Sequence, residues 1–274
     1  MAGTAERLRQ LRHVALDMDG TIYHGGQLFD TTLPFLELLR EQGIGYSFVT
    51  NNCSRSRAQY VAHLQEMGID ASLEQLLTSA DATIAYLKCE KPAIRSIYVI
   101  GTESLRAEFA AAGFKVASND DEPDAVVVGF DTALRYENLC RASYWVREGK
   151  PFFATHPDMF CPSDAPLVLV DCGAVCACIQ SATGRAPEAV LGKPDPRMLA
   201  PVLQRYELTA DQVAMVGDRL YTDMAMAVRA GAFGVFVQTG DGKTGAGDAD
   251  APAPDLVVPG LAEFGAALVA ARSN

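Results

Sequence analysis

Short runs of apolar residues alternate along the chain with amphipathic stretches of helical periodicity. Residues 14–16 are continuously apolar, residues 34–40 have the spacing of a helix that ends at Gly43, and residues 46–49 form a second apolar run. A continuously apolar run predicts a strand that is buried on both faces of a parallel sheet. The first fifty residues therefore predict a β-α-β unit.

The same alternation recurs twice farther along the chain. Residues 79–186 contain three further apolar runs, and from residue 192 onward the pattern again resembles that of the first fifty residues. The further predicted strands are 97–101, 125–129, 151–155, 213–216, 234–237 and 255–258. The helices predicted between them are 104–112, 136–148, 197–206 and 224–230. This order of elements is typical of α/β proteins.

The restart of the pattern predicts two domains, which suits a chain of 274 residues. We expect residues 1–78 and 187–274 to form a Rossmann-like α/β core with a doubly wound parallel sheet. Residues 79–186 are then a second α/β domain inserted into that core. Only one helix fits between the first two strands of the core, so no large domain can be inserted there.

Polar residues directly follow three of the predicted strands of the core. Asp17 and Asp19 come after the first strand, residues 50–52 after the second, and Asp218 after the strand at 213–216. The carboxyl ends of strands are where an open α/β sheet binds ligands. Two acids this close repel each other unless a cation lies between them or one stays protonated. The two aspartates are thus either metal ligands or a general acid/base pair. Alternatively, they belong to a solvated Asp-Gly turn that has no catalytic or binding role.

Composition narrows the class of protein. Hydrophobic residues make up 49% and charged residues 21% of the chain, which is typical of a soluble globular enzyme. The net charge of −11 argues against nucleic acid and against an anionic membrane surface as partners. The chain begins without the apolar core of a signal peptide and contains no apolar run of membrane-spanning length, so we expect a cytoplasmic protein.

The seven cysteines are scattered and odd in number, which indicates reduced thiols rather than a disulfide framework. Three of them cluster at 172, 176 and 178 with spacings that do not match a zinc-binding pair. If this segment is a helix, Cys172 and Cys176 share a face and Cys178 points away. We expect them to be small core residues rather than metal ligands.

Four short motifs contain the polar residues and occur in order along the chain. They are Asp17-Met-Asp19-Gly-Thr21, Thr50-Asn51-Asn52, Gly192-Lys193-Pro194 and Gly217-Asp218-Arg219-x-x-Thr222-Asp223. The set suits a reaction in which a carboxylate attacks phosphorus while a metal ion and a lysine balance the charge. On these motifs the chain resembles the haloacid dehalogenase superfamily. Within it, the chain is similar to subfamily IIA, the NagD-like and p-nitrophenylphosphatase-like branch, which carries a C2-type α/β cap domain.

The resemblance implies a Mg²⁺-dependent phosphatase that hydrolyses a small phosphorylated metabolite through an aspartyl-phosphate. Asp17 would be the nucleophile and a metal ligand. Asp19 would be the general acid and then the general base, and its backbone carbonyl would contact the metal. Asp218 would complete the protein's share of the metal ligands.

The resemblance also assigns the remaining residues of the motifs. Thr50, Asn51 and Asn52 would bind phosphate, and Lys193 would bridge the phosphate and the nucleophile. Asp223 would lie behind the metal ligands and orient their loop. Arg219 would either neutralise Asp223 or face the substrate, and the sequence leaves these two possibilities open.

The inserted domain corresponds to the cap, which in this branch covers the site and determines substrate specificity. The segment 155–161 is the expected contact loop, with His156, Asp158 and Cys161 as candidate specificity residues alongside Arg219. A histidine beside a proline can equally be a structural residue. Related proteins often pair through their caps, so a homodimer is expected.

Three alternatives remain open at this point. A phosphotransferase or phosphomutase would use the same intermediate but pass the phosphoryl group to a hydroxyl. A protein that only binds a phosphorylated ligand would not need all four of Asp17, Asp19, Lys193 and Asp218. A signalling receiver domain is shorter and lacks an acid in the position of Asp19. The sequence does not determine which phosphorylated metabolite is the substrate.

Overall fold

The computed structural model describes residues 3–161, 167–240 and 252–273. The strands are β1 (His13–Leu16), β2 (Tyr23–His24), β3 (Gln27–Leu28), β4 (Gly45–Thr50), β5 (Leu76–Thr78), β6 (Ser96–Ile100), β7 (Lys115–Val116), β8 (Ala125–Val128), β9 (Phe152–Ala154), β10 (Phe160–Cys161), β11 (Leu169–Val170), β12 (Ala189–Val190), β13 (Val213–Gly217), β14 (Phe233–Val237) and β15 (Leu256–Val258). Every strand predicted from an apolar run is present, within two residues of its expected bounds.

The α-helices are α1 (Thr4–Gln10), α2 (Thr32–Glu41), α3 (Arg57–Glu66), α4 (Ser79–Glu90), α5 (Glu103–Ala111), α6 (Tyr136–Arg147), α7 (Cys172–Thr183), α8 (Ala200–Arg205), α9 (Ala225–Ala230) and α10 (Leu261–Arg272). A π-helical turn at Leu220–Met224 leads directly into α9. None of the helices described here is long and apolar enough to cross a membrane.

Contacts group the described residues into two compact units. Met1–Thr50, Val61–Leu77 and Lys193–Asn274 form the first unit, and Asn51–Tyr60 and Thr78–Gly192 form the second. The longer segment of the second unit begins one residue before the predicted boundary and ends six residues after it. Residues 51–60, which we assigned to the first domain from the sequence, pack with the second unit.

The first unit is built on a six-stranded sheet in the order β15-β14-β13-β1-β4-β5. Numbered along the chain, these strands have the order 3-2-1-4-5-6 from the β5 edge, which is that of the doubly wound Rossmann fold. β1 pairs in parallel with both β13 and β4. The order of strands reverses between β1 and β13, and ligands bind at the carboxyl ends of strands at such a point. Asp17 and Asp218 follow these two strands.

The second unit contains a five-stranded parallel sheet in the order β12-β9-β8-β6-β7. Its strands alternate their side chains between two apolar clusters. Val99, Val127 and Phe153 belong to one cluster, and Ile100 and Val128 belong to the other. A parallel sheet needs this burial on both faces, which explains why its strands are apolar throughout.

Candidate active site

Asp17 lies at the carboxyl end of β1 and is 7% exposed. Its backbone N–H donates to the carbonyl oxygen of Val216 on β13 at 2.9 Å, which extends the parallel ladder by one residue. Its Oδ1 accepts a short hydrogen bond from Nζ of Lys193, and its Oδ2 accepts one from Oγ1 of Thr21 at 3.3 Å. Both oxygens are therefore held in fixed directions.

Lys193 is buried and its ammonium group has three protein partners. Nζ contacts Asp17, lies 2.7 Å from Oδ1 of Asp223, and donates to the carbonyl oxygen of Val49 at 3.3 Å. Burial alone would lower the pKa of Lys193, but the charges of Asp17 and Asp223 outweigh it and raise the pKa above its usual value. The lysine is consequently a buried cation at neutral pH.

Asp218 and Asp223 bring two further carboxylates to the same place. Asp218 follows β13, and Asp223 lies in the π-helical turn, where its Oδ2 accepts from the backbone N–H of Arg219 at 3.1 Å. Oxygen atoms of Asp17, Asp218 and Asp223 all lie within 4.8 Å of one another, and all three residues are buried. A group of hard oxygen donors of this kind suits a divalent cation such as Mg²⁺ or Ca²⁺.

Glycines make room for these carboxylates. A Cβ atom on Gly20 would lie 2.2 Å from Oδ2 of Asp218, and one on Gly240 would lie 2.3 Å from the same oxygen. A Cβ atom on Gly217 would lie 2.2 Å from Cγ of Asp223. Gly20 also has a φ of +83°, which favours glycine on its own account. The acids therefore lie directly against the backbone.

The residues present fit a divalent metal. Three buried carboxylates face a single buried ammonium group, so the cluster keeps an excess of negative charge in a region of low dielectric. Buried like charges are costly without a compensating cation. The sequence placed the carboxylates of Asp17 and Asp218 and the backbone carbonyl of Asp19 on the metal; the third carboxylate of this cluster is that of Asp223.

Asp19 lies beside the cluster and differs from it in chemistry. Its Oδ2 accepts a hydrogen bond from the hydroxyl of Tyr23 at 3.3 Å. Burial and, to a smaller extent, the charge of Asp17 raise the pKa of Asp19 to about 6, against weaker opposing effects of Tyr23, Arg219 and Lys193. A carboxyl group with such a pKa can both give and accept a proton near neutral pH.

The Thr50-Asn51-Asn52 motif is divided between the two units. Thr50 ends β4 in the first unit and is buried. In the second unit, Nδ2 of Asn51 donates to Oδ2 of Asp158 at 3.0 Å, and Nδ2 of Asn52 donates to the sulfur of Cys161 at 3.6 Å. The amide groups of both asparagines thus bond to side chains of the predicted contact loop.

His156 is completely buried in the second unit. Its Nδ1 lies 3.4 Å from Oδ2 of Asp158, and its Nε2 lies 3.5 Å from Oδ1 of Asp171. Burial alone would lower the pKa of His156, but Cys172 and the carboxylates of Asp158 and Asp171 reverse this effect and raise the pKa well above its usual value. The imidazole ring therefore lies buried between two carboxylates that favour its protonated form.

The loop that carries His156 packs tightly against the start of α7. The side chain of Asp171 caps this helix by accepting from the backbone N–H of Cys172 at 2.6 Å. Gly173 donates to the carbonyl oxygen of Asp158 at 2.8 Å, and a Cβ atom on Gly173 would lie 2.1 Å from the carbonyl oxygen of Pro157. These contacts hold the loop of His156 and Asp158 against the start of α7.

The cysteines on α7 have the predicted orientation. Cys172 and Cys176 are buried with their sulfur atoms 4.0 Å apart, while Cys178 is exposed. Every cysteine in the chain is a free thiol. This confirms that the first two are core residues on one face of a helix.

Three polar residues of these clusters were assigned no role from the sequence. Thr21 and Tyr23 hydrogen bond to the two aspartates of the first motif, and Asp171 completes the environment of His156. A signal was available for Asp171, because an aspartate directly before an apolar helix is a typical N-cap. A signal was also available near Tyr23, because the Gly25-Gly26 pair predicts the tight β2–β3 hairpin.

Comparison with known proteins gives a consistent set of relatives. A family model described as haloacid dehalogenase-like hydrolase matches residues 14–115, and one described as HAD-hydrolase-like matches residues 190–264. An acid sugar phosphatase of Staphylococcus aureus is 36% identical over 233 residues, which are 85% of this chain and 88% of the relative.

Solved structures of similar proteins cover both units. A 4-nitrophenylphosphatase from Thermotoga maritima has a TM-score of 0.87 and 35% identity, and the match covers 96% of this chain and 99% of that one. A glycerol phosphate phosphatase from Mycobacterium tuberculosis, solved with calcium, has a TM-score of 0.77 and 32% identity over 85% of this chain and 68% of that one.

Proposed function

This chain belongs to the haloacid dehalogenase superfamily, within its NagD-like and p-nitrophenylphosphatase-like branch, and is a phosphoric monoester hydrolase; we propose that it hydrolyses a small sugar phosphate or similar metabolite through an aspartyl-phosphate on Asp17. The observation that carries the mechanism is the contact of Asp17 with a buried ammonium group, beside a second carboxyl group with a raised pKa. The substrate class rests on the acid sugar phosphatase relative.

In the first step, a carboxylate oxygen of Asp17 attacks phosphorus and the bond to the leaving oxygen breaks. Lys193 and Thr21 orient the attacking carboxylate, and its burial keeps water from solvating it. Asp19 in its protonated form gives its proton to the leaving oxygen, which departs as an alcohol. This step leaves an acyl phosphate on Asp17 and a carboxylate on Asp19.

In the second step, the carboxylate of Asp19 takes a proton from water as the water oxygen attacks the phosphorus. The bond between phosphorus and Asp17 breaks, so that phosphate is released and Asp17 returns as a carboxylate. Asp19 returns to its protonated form, which balances the cycle. The hydrogen bond from Tyr23 holds Asp19 in place through both proton transfers.

Lys193 is proposed to bind the phosphoryl oxygens, because its charge is fixed and it already touches the nucleophile. Thr50 is proposed as a second contact, since it ends the strand next to β1. The phosphate-binding roles of Asn51 and Asn52 stay predictions. The same holds for the specificity roles of His156, Asp158, Cys161 and Arg219, for a homodimer through the inserted unit, and for a cytoplasmic location.

Mg²⁺ is the proposed metal. Asp17 and Asp218 would hold it, and Asp223 would hold Lys193 and the loop of Arg219 in place behind them. When bound, the ion would neutralise the repulsion between the phosphate group and Asp17. The calcium complex of the similar glycerol phosphate phosphatase supports a divalent cation in this family.

Chemical trapping tests this mechanism. Borohydride added during turnover of p-nitrophenyl phosphate should reduce an acyl phosphate on Asp17 to homoserine, which peptide mass spectrometry detects at position 17. Unmodified Asp17 under conditions that trap a known aspartyl-phosphate enzyme would exclude the intermediate. In parallel, chelation should stop turnover and Mg²⁺ should restore it; turnover that persists after chelation would refute the metal assignment.

A further inference from the structure

A groove of about 680 Å³ lies at the opposite end of the first unit's sheet from Asp17. Its lining includes Arg9, Arg12 and Arg272 together with Gln10, Gln42 and Gln212. Arg12 immediately precedes β1 and Asp17 immediately follows it. At a rise of about 3.3 Å per residue, their backbones are roughly 16 Å apart along the strand. The groove is therefore separate from the proposed active site.

The lining of this groove is unusual for an acidic chain. The net charge of the protein is −11, yet three arginines and three glutamines line the groove and no acidic residue does. Glu41 and Asp211 are next to lining residues in the sequence but are not part of the lining. Arginine guanidinium groups and glutamine amides are donors that suit phosphate oxygens. We propose that the groove binds a small phosphorylated anion.

Arg272 forms hydrogen bonds to two backbone carbonyl groups in the wall of the groove. Its Nη1 donates to the carbonyl oxygen of Gln42 at 2.9 Å, and its Nη2 donates to that of Leu11. These carbonyls lie just beyond the carboxyl ends of α2 and α1, where the helix dipoles would repel an anion. Because Arg272 already bonds to them, its charge offsets part of their negative ends and is fixed in place.

Arg9 and Arg12 supply the charges that can reach a ligand. Both are exposed, and neither forms an ion pair with an acidic side chain in the described part of the chain. The backbone of Arg12 is fixed, since its N–H donates to Gln212 at 2.8 Å and its carbonyl accepts from Gly45 at 3.0 Å. Paired guanidinium groups bind phosphate in a bidentate manner.

The volume sets the class of ligand. Sites for small molecules usually occupy about 300–1,000 Å³, so a groove of about 680 Å³ accommodates a phosphorylated metabolite rather than a segment of nucleic acid. The strongly negative field of the rest of the protein also disfavours a polyanion.

Site-resolved chemical modification tests the proposal. Phenylglyoxal reacts with exposed arginines, and methylenediphosphonate serves as a non-hydrolysable probe with two phosphonate groups. We expect the probe to slow modification of Arg9 and Arg12 at least fivefold, as followed by peptide mass spectrometry. Arg147, an exposed arginine of the second unit, is the matched control and should react at an unchanged rate.

A double variant, R9Q/R12Q, extends the test to affinity. In calorimetry, the dissociation constant of the probe for the groove should rise at least tenfold. The variant should still hydrolyse p-nitrophenyl phosphate, because neither residue belongs to the proposed active site. Arg272 is left intact because it ties helix ends together. Equal protection by sodium chloride at the same ionic strength, or unchanged probe binding by the double variant, would overturn the proposal.

Discussion

Each unit of this protein buries one basic side chain between two carboxylates. In the first unit, Lys193 lies between Asp17 and Asp223, and in the second, His156 lies between Asp158 and Asp171. The clusters are alike in composition and burial. They differ in what else surrounds them, and we propose that this difference separates a reactive site from a structural one.

The carboxylates of both clusters accept hydrogen bonds from neutral donors. Asp158 accepts from the amide of Asn51, and Asp171 accepts from the backbone N–H of Cys172. In the first cluster, Asp17 accepts from Thr21, and Asp223 accepts from the backbone N–H of Arg219. The difference is that Asp218 adds a third carboxylate close to the other two around Lys193. Excess buried charge is costly for folding, so its presence indicates a site that binds a cation or a reacting group.

Removing the cation of the first cluster should have the largest effect. We expect Lys193→Met to lower kcat/KM for p-nitrophenyl phosphate by about a thousandfold or more, because the nucleophile loses its orientation and the phosphoryl charge loses its partner. Steady-state kinetics measures the loss, and circular dichroism confirms that the protein is folded. Near-normal turnover by the folded variant would show that Lys193 is merely structural.

The matching change in the second cluster should act on stability. His156→Gln leaves two buried carboxylates without their cation, so the free energy of unfolding should fall by about 3 kcal/mol in chemical denaturation. The kcat/KM of the folded fraction should change less than threefold. His24→Gln, at an exposed histidine, should leave stability nearly unchanged. A loss of activity that exceeds the loss of stability would instead support substrate contact by His156.

Two glycines allow a comparison in which an added methyl group lies equally close to a neighbour, a side chain at Gly217 and the backbone at Gly173. Gly217→Ala places a methyl group against Asp223, and Gly173→Ala places one against the carbonyl of Pro157. Overpacking of this kind costs about 1–3 kcal/mol at either position. We expect only Gly217→Ala to lower kcat, at least tenfold, because it displaces a carboxylate that holds Lys193. Equal effects on kcat would argue against a specific role for Asp223.

The smallest expected effect is the change with pH in the stability that the cluster of His156 contributes. The pKa of His156 is raised above its unfolded value, so its stabilising contribution is complete below about pH 6.5 and is lost as the pH rises through the folded pKa. The stability difference between the wild type and His156→Gln should therefore shrink on going from pH 6 to alkaline pH. Denaturation curves at several pH values measure this; a difference that grows with pH would contradict the buried imidazolium.

The sequence was most informative where local pattern determines structure. Continuous apolar runs identify β1, β4 and β13, and the carboxyl ends of parallel strands meet at one edge, so Asp17 and Asp218 could be placed together before any coordinates. The strand order itself was not predictable, because it depends on pairing between distant segments.

Contacts across long stretches of sequence could not be predicted. The pairing of Lys193 with Asp223 and the burial of His156 between Asp158 and Asp171 depend on how loops pack, and no local signal distinguishes a buried histidine from an exposed one. Short elements such as α1 and β7 were missed as well. The division of the Thr50-Asn51-Asn52 motif between two units likewise has no signature in the residues themselves.

The π-helical turn at Leu220–Met224 restricts which insertions and deletions of residues this protein tolerates near the site. The turn begins two residues after Asp218 and contains Asp223, so its winding determines the direction in which the second carboxylate leaves the backbone. Deleting one residue between Asp218 and Asp223 would rotate Asp223 by about 100° about the helix axis and turn it away from Lys193. Point substitutions on the turn's exposed side are compatible with the site, whereas single-residue insertions and deletions are not.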